Sequence, residues 1–297
     1  MELTATAPRV DPLTLPIDGR AQKVVSADGT RIHVTVYGAD DAPAIVLIHG
    51  FSQQSRTWAY QVRDLAEEFR VVVYDQRGHG HSSWAETYAI TALGEDLQAV
   101  LDATLHPGER AVIAGHSMGG ITIMTWAHQY GVERAAAAVL VNTAASEIGQ
   151  HFAVLGVPQP LHRYSNYVVR RRLMTIIQTR ARRALRFLAF GTVAHPEHLE
   201  AVQQMLREAS HRTLREFISA LLAMNLTEVV PALTCPTVIV AGGRDRLLPP
   251  VHNARIAERL PNLEKLTMIS TSGHMGPWEA RGAVSSALRD AAATHLP

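Results

Sequence analysis

The sequence predicts an α/β fold: a mostly parallel sheet of about eight strands, helices on both faces, and a helical cap inserted late in the chain. Three observations carry this. Short apolar runs alternate with helix-periodic stretches from residue 22 to residue 146. Between 147 and 225 no strand-like run stands between the helical patterns. The alternation then resumes and continues to residue 293. Repeated βα alternation favours a parallel sheet, because each crossover helix must bury its apolar stripe against it. The core is therefore expected at 1–146 and 226–297, and the cap at 147–225.

Each element has its own warrant. Residues 22–26 and 31–37 read as two strands around Asp28-Gly29, a hairpin signal. Ala44 to Ile48 is a continuous apolar run, as a strand covered on both faces requires. Trp58, Val62, Leu65 and Phe69 recur at helical spacing, which predicts a helix over 57–69. Arg70 to Tyr74 is the next strand, and 88–104 a helix with Leu93, Leu97, Val100 and Leu101 on its apolar side. Ala111 to Ala114 is a strand, 118–130 a helix closed by Gly131, and Ala136 to Val141 a strand. In the insert, 166–190 and 196–224 are helical in pattern. Thr237 to Ala241 and Leu266 to Ile269 read as the last strands, 250–260 and 277–293 as the last helices.

Composition narrows the function classes. The 297 residues suffice for one large core, and 47% hydrophobic with 19% charged is ordinary for a soluble globular protein. A net charge of +1 supplies no global field for nucleic acid, so none is expected as a partner. The single cysteine, Cys235, excludes an internal disulfide framework. Residues 1–16 lack the basic start and apolar run of a secretory signal. No stretch reaches the roughly 18 apolar residues of a membrane span. A cytoplasmic protein is expected.

The strongest chemical signal is Gly115-His116-Ser117-Met118-Gly119, between a predicted strand and a predicted helix. It fits G-x-S-x-G in the context that a nucleophile elbow requires. The turn crowds the backbone, so Gly115 and Gly119 supply the missing Cβ space. Serine needs a base to act at neutral pH. Of fifteen histidines, His274 in Ser272-Gly273-His274-Met275 follows the last predicted strand, where the base should stand. Asp245 follows the penultimate strand in Gly242-Gly243-Arg244-Asp245 and would orient the imidazole; its competing reading is a turn aspartate. The order Ser117, Asp245, His274 is the one this elbow-bearing architecture uses. Two backbone donors are needed for the oxyanion. Met118 N–H, just after the nucleophile, is one candidate. Phe51 N–H, in the loop His49-Gly50-Phe51-Ser52, is the other, with Gly50 permitting close backbone approach.

Four motifs together resemble the α/β-hydrolase superfamily: His49-Gly50-Phe51, Asp75-Gln76-Arg77-Gly78-His79-Gly80-His81-Ser82, Gly115–Gly120 and Gly243-Arg244-Asp245. Ser272–Trp278 is similar to that family's histidine loop. The resemblance runs from about residue 22 to 293 and is closest to the capped serine esterases and C–C bond hydrolases. Epoxide hydrolases and haloalkane dehalogenases share the fold but carry aspartate where this chain has Ser117, which argues against both. Asp75 and Arg77 are expected to brace loops near the site.

The resemblance implies two-step acyl transfer through Ser117, with no cofactor and no metal. The substrate is expected to be a small to medium hydrophobic carboxylic ester. Cleavage of a C–C bond, a lactone or a thioester by the same triad stays open, as does a non-catalytic ligand receptor. From Glu147 to Phe190, eight arginines face a single acid and interleave with aliphatic residues. Such a basic amphipathic pattern suits weak contact with an anionic membrane surface or attraction of acidic substrates. A solvated helix face paired with acids on the core is the competing reading. Oligomeric state is not encoded in any of these patterns.

Overall fold

A computed structural model describes residues 11–16, 18–148, 171, 174–175 and 181–297. The strands are β1 (Arg20–Val25), β2 (Arg31–Tyr37), β3 (Ala44–Ile48), β4 (Arg70–Asp75), β5 (Ala111–His116), β6 (Ala135–Val141), β7 (Thr237–Gly242) and β8 (Leu263–Ile269). They form one sheet in the order β1-β2-β4-β3-β5-β6-β7-β8. β1 and β2 form an antiparallel hairpin and β2 pairs antiparallel with β4; every later pair is parallel. The strand order reverses between β3 and β5, which creates a crevice beyond their C-terminal ends.

The continuous apolar strands are explained by two-sided burial. In β3, Ala44, Val46 and Ile48 enter one core, while Ile45 and Leu47 enter the other. α1 (Ala59–Leu65) and α9 (Arg281–His295) cover one face through Val62, Leu65, Val284 and Leu288. α2 (Ile90–Thr104), α3 (Met118–Tyr130) and α7 (Val251–Ala257) cover the other through Leu93, Leu97, Ile121 and Ile256. Arg77 and Asp96 are both fully buried and form two hydrogen bonds of 2.7 Å, while Asp28 takes a third from Arg77. This braces the loop after β4, as expected of Arg77.

Several boundaries differ from the sequence reading. The expected helix over 57–69 is a 3₁₀ turn, Ser55–Trp58, followed by the shorter α1. The stretch 196–224 is two helices, α5 (Pro196–Glu208) and α6 (His211–Ala223), because Ala209 and Ser210 are extended. The last helix is broken at Ala280, with α8 (Gly276–Glu279) ahead of α9. β8 is an edge strand, so Leu266 and Met268 face solvent instead of a core.

Between β6 and β7 the chain makes a helical insertion. Ser146 and Asn225 form an isolated antiparallel bridge, and Leu226 N–H donates to the Ala145 carbonyl at 2.7 Å. The insertion thus leaves and returns through one narrow neck. Its described helices are α4 (Arg182–Ala189), α5 and α6. They share a third apolar cluster with the core, joining Leu185, Phe190, Met205 and Ile218 to Met275 and Trp278. His151, His162, the arginines at 163, 170, 172 and 180, and about half of the predicted helix 166–190 lie outside the described residues.

His198 of α5 docks on the core. Its Nε2 is 3.1 Å from the Tyr60 hydroxyl and its ring lies against Trp278. Burial first, then neighbouring His195, pushes its pKa down to about 4 from an ordinary 6.5. The folded state therefore holds it neutral, and unfolding lets it take a proton. Its contribution is fully present above pH 6.5 and is lost as pH falls toward 4. Between pH 7 and 5 this amounts to about 1–2 kcal/mol, allowing for partial solvent screening. Urea unfolding of His198→Gln across that range is expected to give a pH dependence flatter by that amount.

Candidate active site

The site stands at the C-terminal ends of β3, β5, β7 and β8. Ser117 follows β5 directly and has φ 53° and ψ −115°, a conformation that strains any L-residue. The strain is held by packing. A Cβ on Gly115 would lie 2.3 Å from the Gly119 carbonyl, and one on Gly119 would lie 2.2 Å from the Ile48 carbonyl oxygen. Only glycine lets α3 start so close to β3 and β5. Ser117 N–H donates to the Val141 carbonyl at 2.9 Å, and Thr143 Oγ1 donates to the Ser117 carbonyl at 2.7 Å.

The three predicted side chains converge. His274 Nε2 lies 3.1 Å from Ser117 Oγ, and His274 Nδ1 donates to Asp245 Oδ2 at 2.8 Å. Because a carboxylate only accepts, the proton sits on Nδ1 and the Nε2 lone pair faces the serine hydroxyl. All three residues are buried. Asp245 is far more than a turn residue. Oδ1 accepts from Leu247 and Leu248 N–H at 2.9 and 2.8 Å, and Oδ2 accepts from Asn142 Nδ2 at 2.9 Å.

Asn142 was invisible in the motifs. It follows β6 in a left-handed conformation, φ 48°, and its amide also donates to the Gly273 carbonyl at 3.1 Å. One side chain thus ties the acid loop to the histidine loop. The His116 ring lies beside His274, and its Nε2–H donates to the His274 carbonyl at 2.7 Å.

The loop after β3 is fixed by two imidazoles. His49 Nδ1–H donates to the Gly50 carbonyl at 2.7 Å, and its Nε2 accepts Gln76 N–H at 2.9 Å. A trans peptide is planar, so pinning that carbonyl aims Phe51 N–H the opposite way. His79 Nε2 accepts Ser52 N–H at 3.2 Å, and its Nδ1–H donates to the Arg77 carbonyl at 3.0 Å. Burial lowers the pKa of both, His79 to about 3. Each stays neutral with its proton on Nδ1. Met118 is the first residue of α3, so its N–H has no partner within the helix. Gly50 does permit close approach, but to the protein itself: a Cβ there would stand 3.1 Å from Ser117 Cβ.

Above these groups is a cavity of about 160 Å³. Phe51, Ser117, Met118 and His274 meet at one end, and Leu188, Val202, Met205, Leu206, Ile218 and Leu221 line the rest. Among the described residues that line it, His274 is the only titratable side chain. Such a space takes an apolar group and has a serine–histidine pair at its floor. Among the described residues no three His, Cys, Asp or Glu side chains converge as metal ligands, and no helix is long and apolar enough to cross a membrane.

The fold has counterparts among known proteins. The sequence profile of the family described as alpha/beta hydrolase fold matches residues 43–280. The chain is 36% identical over 122 residues to 3-oxoadipate enol-lactonase 1 of Acinetobacter baylyi, a match covering 41% of this chain and 45% of that enzyme. It is 27% identical over 223 residues to 3-oxoadipate enol-lactonase 2 of the same organism, covering 74% and 78%. The crystal structure of an esterase from Rhodococcus superposes with a TM-score of 0.71 at 25% identity, covering 93% of this chain and 99% of that one.

The two-imidazole loop gives a direct expectation. Replacing His79 by Ala leaves Ser52 N–H without its acceptor and removes a ring packed on Phe217. Urea unfolding at pH 7 is expected to register a loss of about 2–4 kcal/mol.

Proposed function

The chain belongs to the α/β-hydrolase fold family and its relatives support hydrolase activity; on that premise we propose that it cleaves carboxylic esters of small to medium hydrophobic compounds through an acyl-enzyme on Ser117. The observation that carries this reading is the unbroken hydrogen-bond chain from Asp245 through His274 to Ser117 at the floor of an apolar cavity.

The geometry supports the following roles. His274 Nε2 takes the Ser117 proton as Oγ attacks the ester carbonyl. Asp245 holds the tautomer and stabilises the imidazolium that forms. Phe51 and Met118 N–H receive the developing oxyanion. The alcohol leaves with the proton from His274, and water then hydrolyses the acyl-enzyme with His274 again as base. Segment 147–225 acts as the cap, supplying most of the aliphatic wall, so the acyl part is the apolar one. Any contact of its arginines with an anionic membrane surface is secondary to this role. A lactone is an ester whose leaving alcohol is tethered, and the enol-lactonase relatives favour it as the second reading. The described cavity wall offers no cation for a substrate carboxylate, which favours an uncharged ester or lactone.

Two experiments test this. p-Nitrophenyl esters from acetate to palmitate are offered to wild type and Ser117→Ala. Ser117→Ala is expected to lose at least about 10³-fold in kcat. A cavity of this size matches one that holds a benzene ring, so the optimum is expected at about four to six acyl carbons. Ester-binding without turnover in the wild type would instead indicate a ligand receptor. Leu206→Trp, which fills the cavity wall, is expected to shift the optimum toward acetate while leaving acetate turnover within about threefold. An unchanged chain-length profile would remove the cavity as the acyl site.

A further inference from the structure

The end of α4 is joined to the loop that carries His274 by three direct hydrogen bonds and by two more that bridge them through a third residue. The Ala189 carbonyl accepts both His274 N–H and Met275 N–H, at 2.9 and 3.1 Å. Thr192 N–H donates to the Thr271 carbonyl at 2.9 Å. The other two meet on one side chain. Glu279 Oε2 accepts Gly191 N–H at 2.7 Å, and Glu279 Oε1 accepts Gly273 N–H at 3.0 Å. One carboxylate therefore bridges the insertion and the residue that precedes His274.

The contact is too close for any other pair of residues. A Cβ on Gly191 would lie 2.1 Å from the Thr271 carbonyl oxygen, and one on Gly273 would lie 2.4 Å from Gly191 N. The acid loop takes part as well. Arg246, next to Asp245, donates to the Phe187 and Phe190 carbonyls at 2.9 and 3.2 Å. It thereby caps the C-terminal end of α4, where the carbonyls lack helical partners.

We propose that Glu279 is a positioning residue: by holding Gly191 and Gly273 side by side it makes the end of α4 and the His274 loop one body, so that the insertion helps aim His274 at Ser117. This rests on reading Ser117 and His274 as the reacting pair. The insertion then contributes to turnover as well as to substrate choice. Any opening of the insertion occurs away from residues 189–192, because moving them would carry the His274 backbone with them. Burial raises the Glu279 pKa, with backbone hydrogen bonds opposing that shift. A carboxylate in this place is thus retained at a cost in desolvation that an apolar residue would not incur.

Glu279→Gln tests this while preserving size. Its carboxamide keeps one acceptor but turns an NH₂ group toward the other N–H. Glu279→Ala removes both acceptors. Each variant is compared with wild type for thermal midpoint, for the fraction of Ser117 labelled by a fluorophosphonate, and for kcat per labelled site. The rate constant of labelling and the downfield proton resonance of His274 Nδ1–H complete the set. Glu279→Gln is expected to stay folded and fully labelled, with kcat per site and labelling rate both reduced ten- to a hundredfold, and with the His274 resonance shifted or broadened. Should Glu279→Ala fail to fold, Glu279→Gln decides alone. Wild-type kcat, labelling rate and resonance in a folded Glu279→Gln would overturn the proposal. Failure of the wild type to label at Ser117 would overturn the reading of the site beneath it, a result visible before any variant is made.

Discussion

Ser117 occupies a backbone conformation that is unfavourable for an L-residue, and most of the surrounding architecture can be understood as what keeps it there. A strained φ/ψ pair persists only where neighbours over-determine it. Here the neighbours are the β3 and β5 backbones beneath, the Val141 carbonyl that takes the serine N–H, and Thr143 on the serine carbonyl. All belong to strands β3, β5 and β6 or to the turn after β6, buried on both faces. The rigidity of the elbow is therefore borrowed from the sheet, and the sheet from the two apolar layers that cover it.

Around that point the polar groups are arranged by tautomer. Three imidazoles, His49, His79 and His274, each donate from Nδ1 and turn Nε2 toward a hydrogen-bond partner. Two use the acceptor on backbone N–H groups and one faces the serine hydroxyl. His116 is the reverse, donating from Nε2 to the His274 carbonyl. Each ring has its proton assigned by an obligate acceptor, a carboxylate or a backbone carbonyl. Deep burial then keeps His49, His79 and His116 uncharged. A charged ring at His49 or His79 would lose the acceptor that Gln76 N–H or Ser52 N–H requires.

The insertion is bound into this arrangement differently at its neck and at the end of α4. At the neck, Ser146 pairs with Asn225 and Leu226 N–H donates to the Ala145 carbonyl. At the end of α4, hydrogen bonds, two facing glycines and the Arg246 cap merge the chain with the loops of the acid and the base. In between, α5 and α6 meet the core through apolar contacts centred on Trp278 and Met275 and through hydrogen bonds of His198, Glu208 and Thr213 to Tyr60, Gln54 and the Gly78 carbonyl. Paired backbone groups fix position more tightly than apolar contacts, which are non-directional. The His274 loop is thus tied to the end of α4 by its backbone, and the cavity wall to the core mainly by side chains.

The division between sequence and structure follows range. The alternation of apolar runs determined the sheet, because burial of a strand on both faces leaves a mark within five residues, as in Ala44–Ile48. Ser117, Asp245 and His274 were legible because each stands at a fixed offset after a strand and the strands dictate where loops converge. Helix ends were less legible: the break at Ala209–Ser210 and the turn at Ala280 involve residues that a helix tolerates well, so only packing decided them. Asn142 and Glu279 carried no local signal, and His79, although inside a motif, carried none for its partner. An asparagine after a strand, a histidine in a turn and a glutamate on a short helix have many ordinary uses. What selects among those uses is the partner, at Asp245, Ser52 and Gly191, and those partners lie 103, 27 and 88 residues away in the chain. Local pattern thus determined where Ser117, Asp245 and His274 stand. Only the tertiary structure decided what holds them, because a hydrogen bond between distant segments leaves no periodicity in either one.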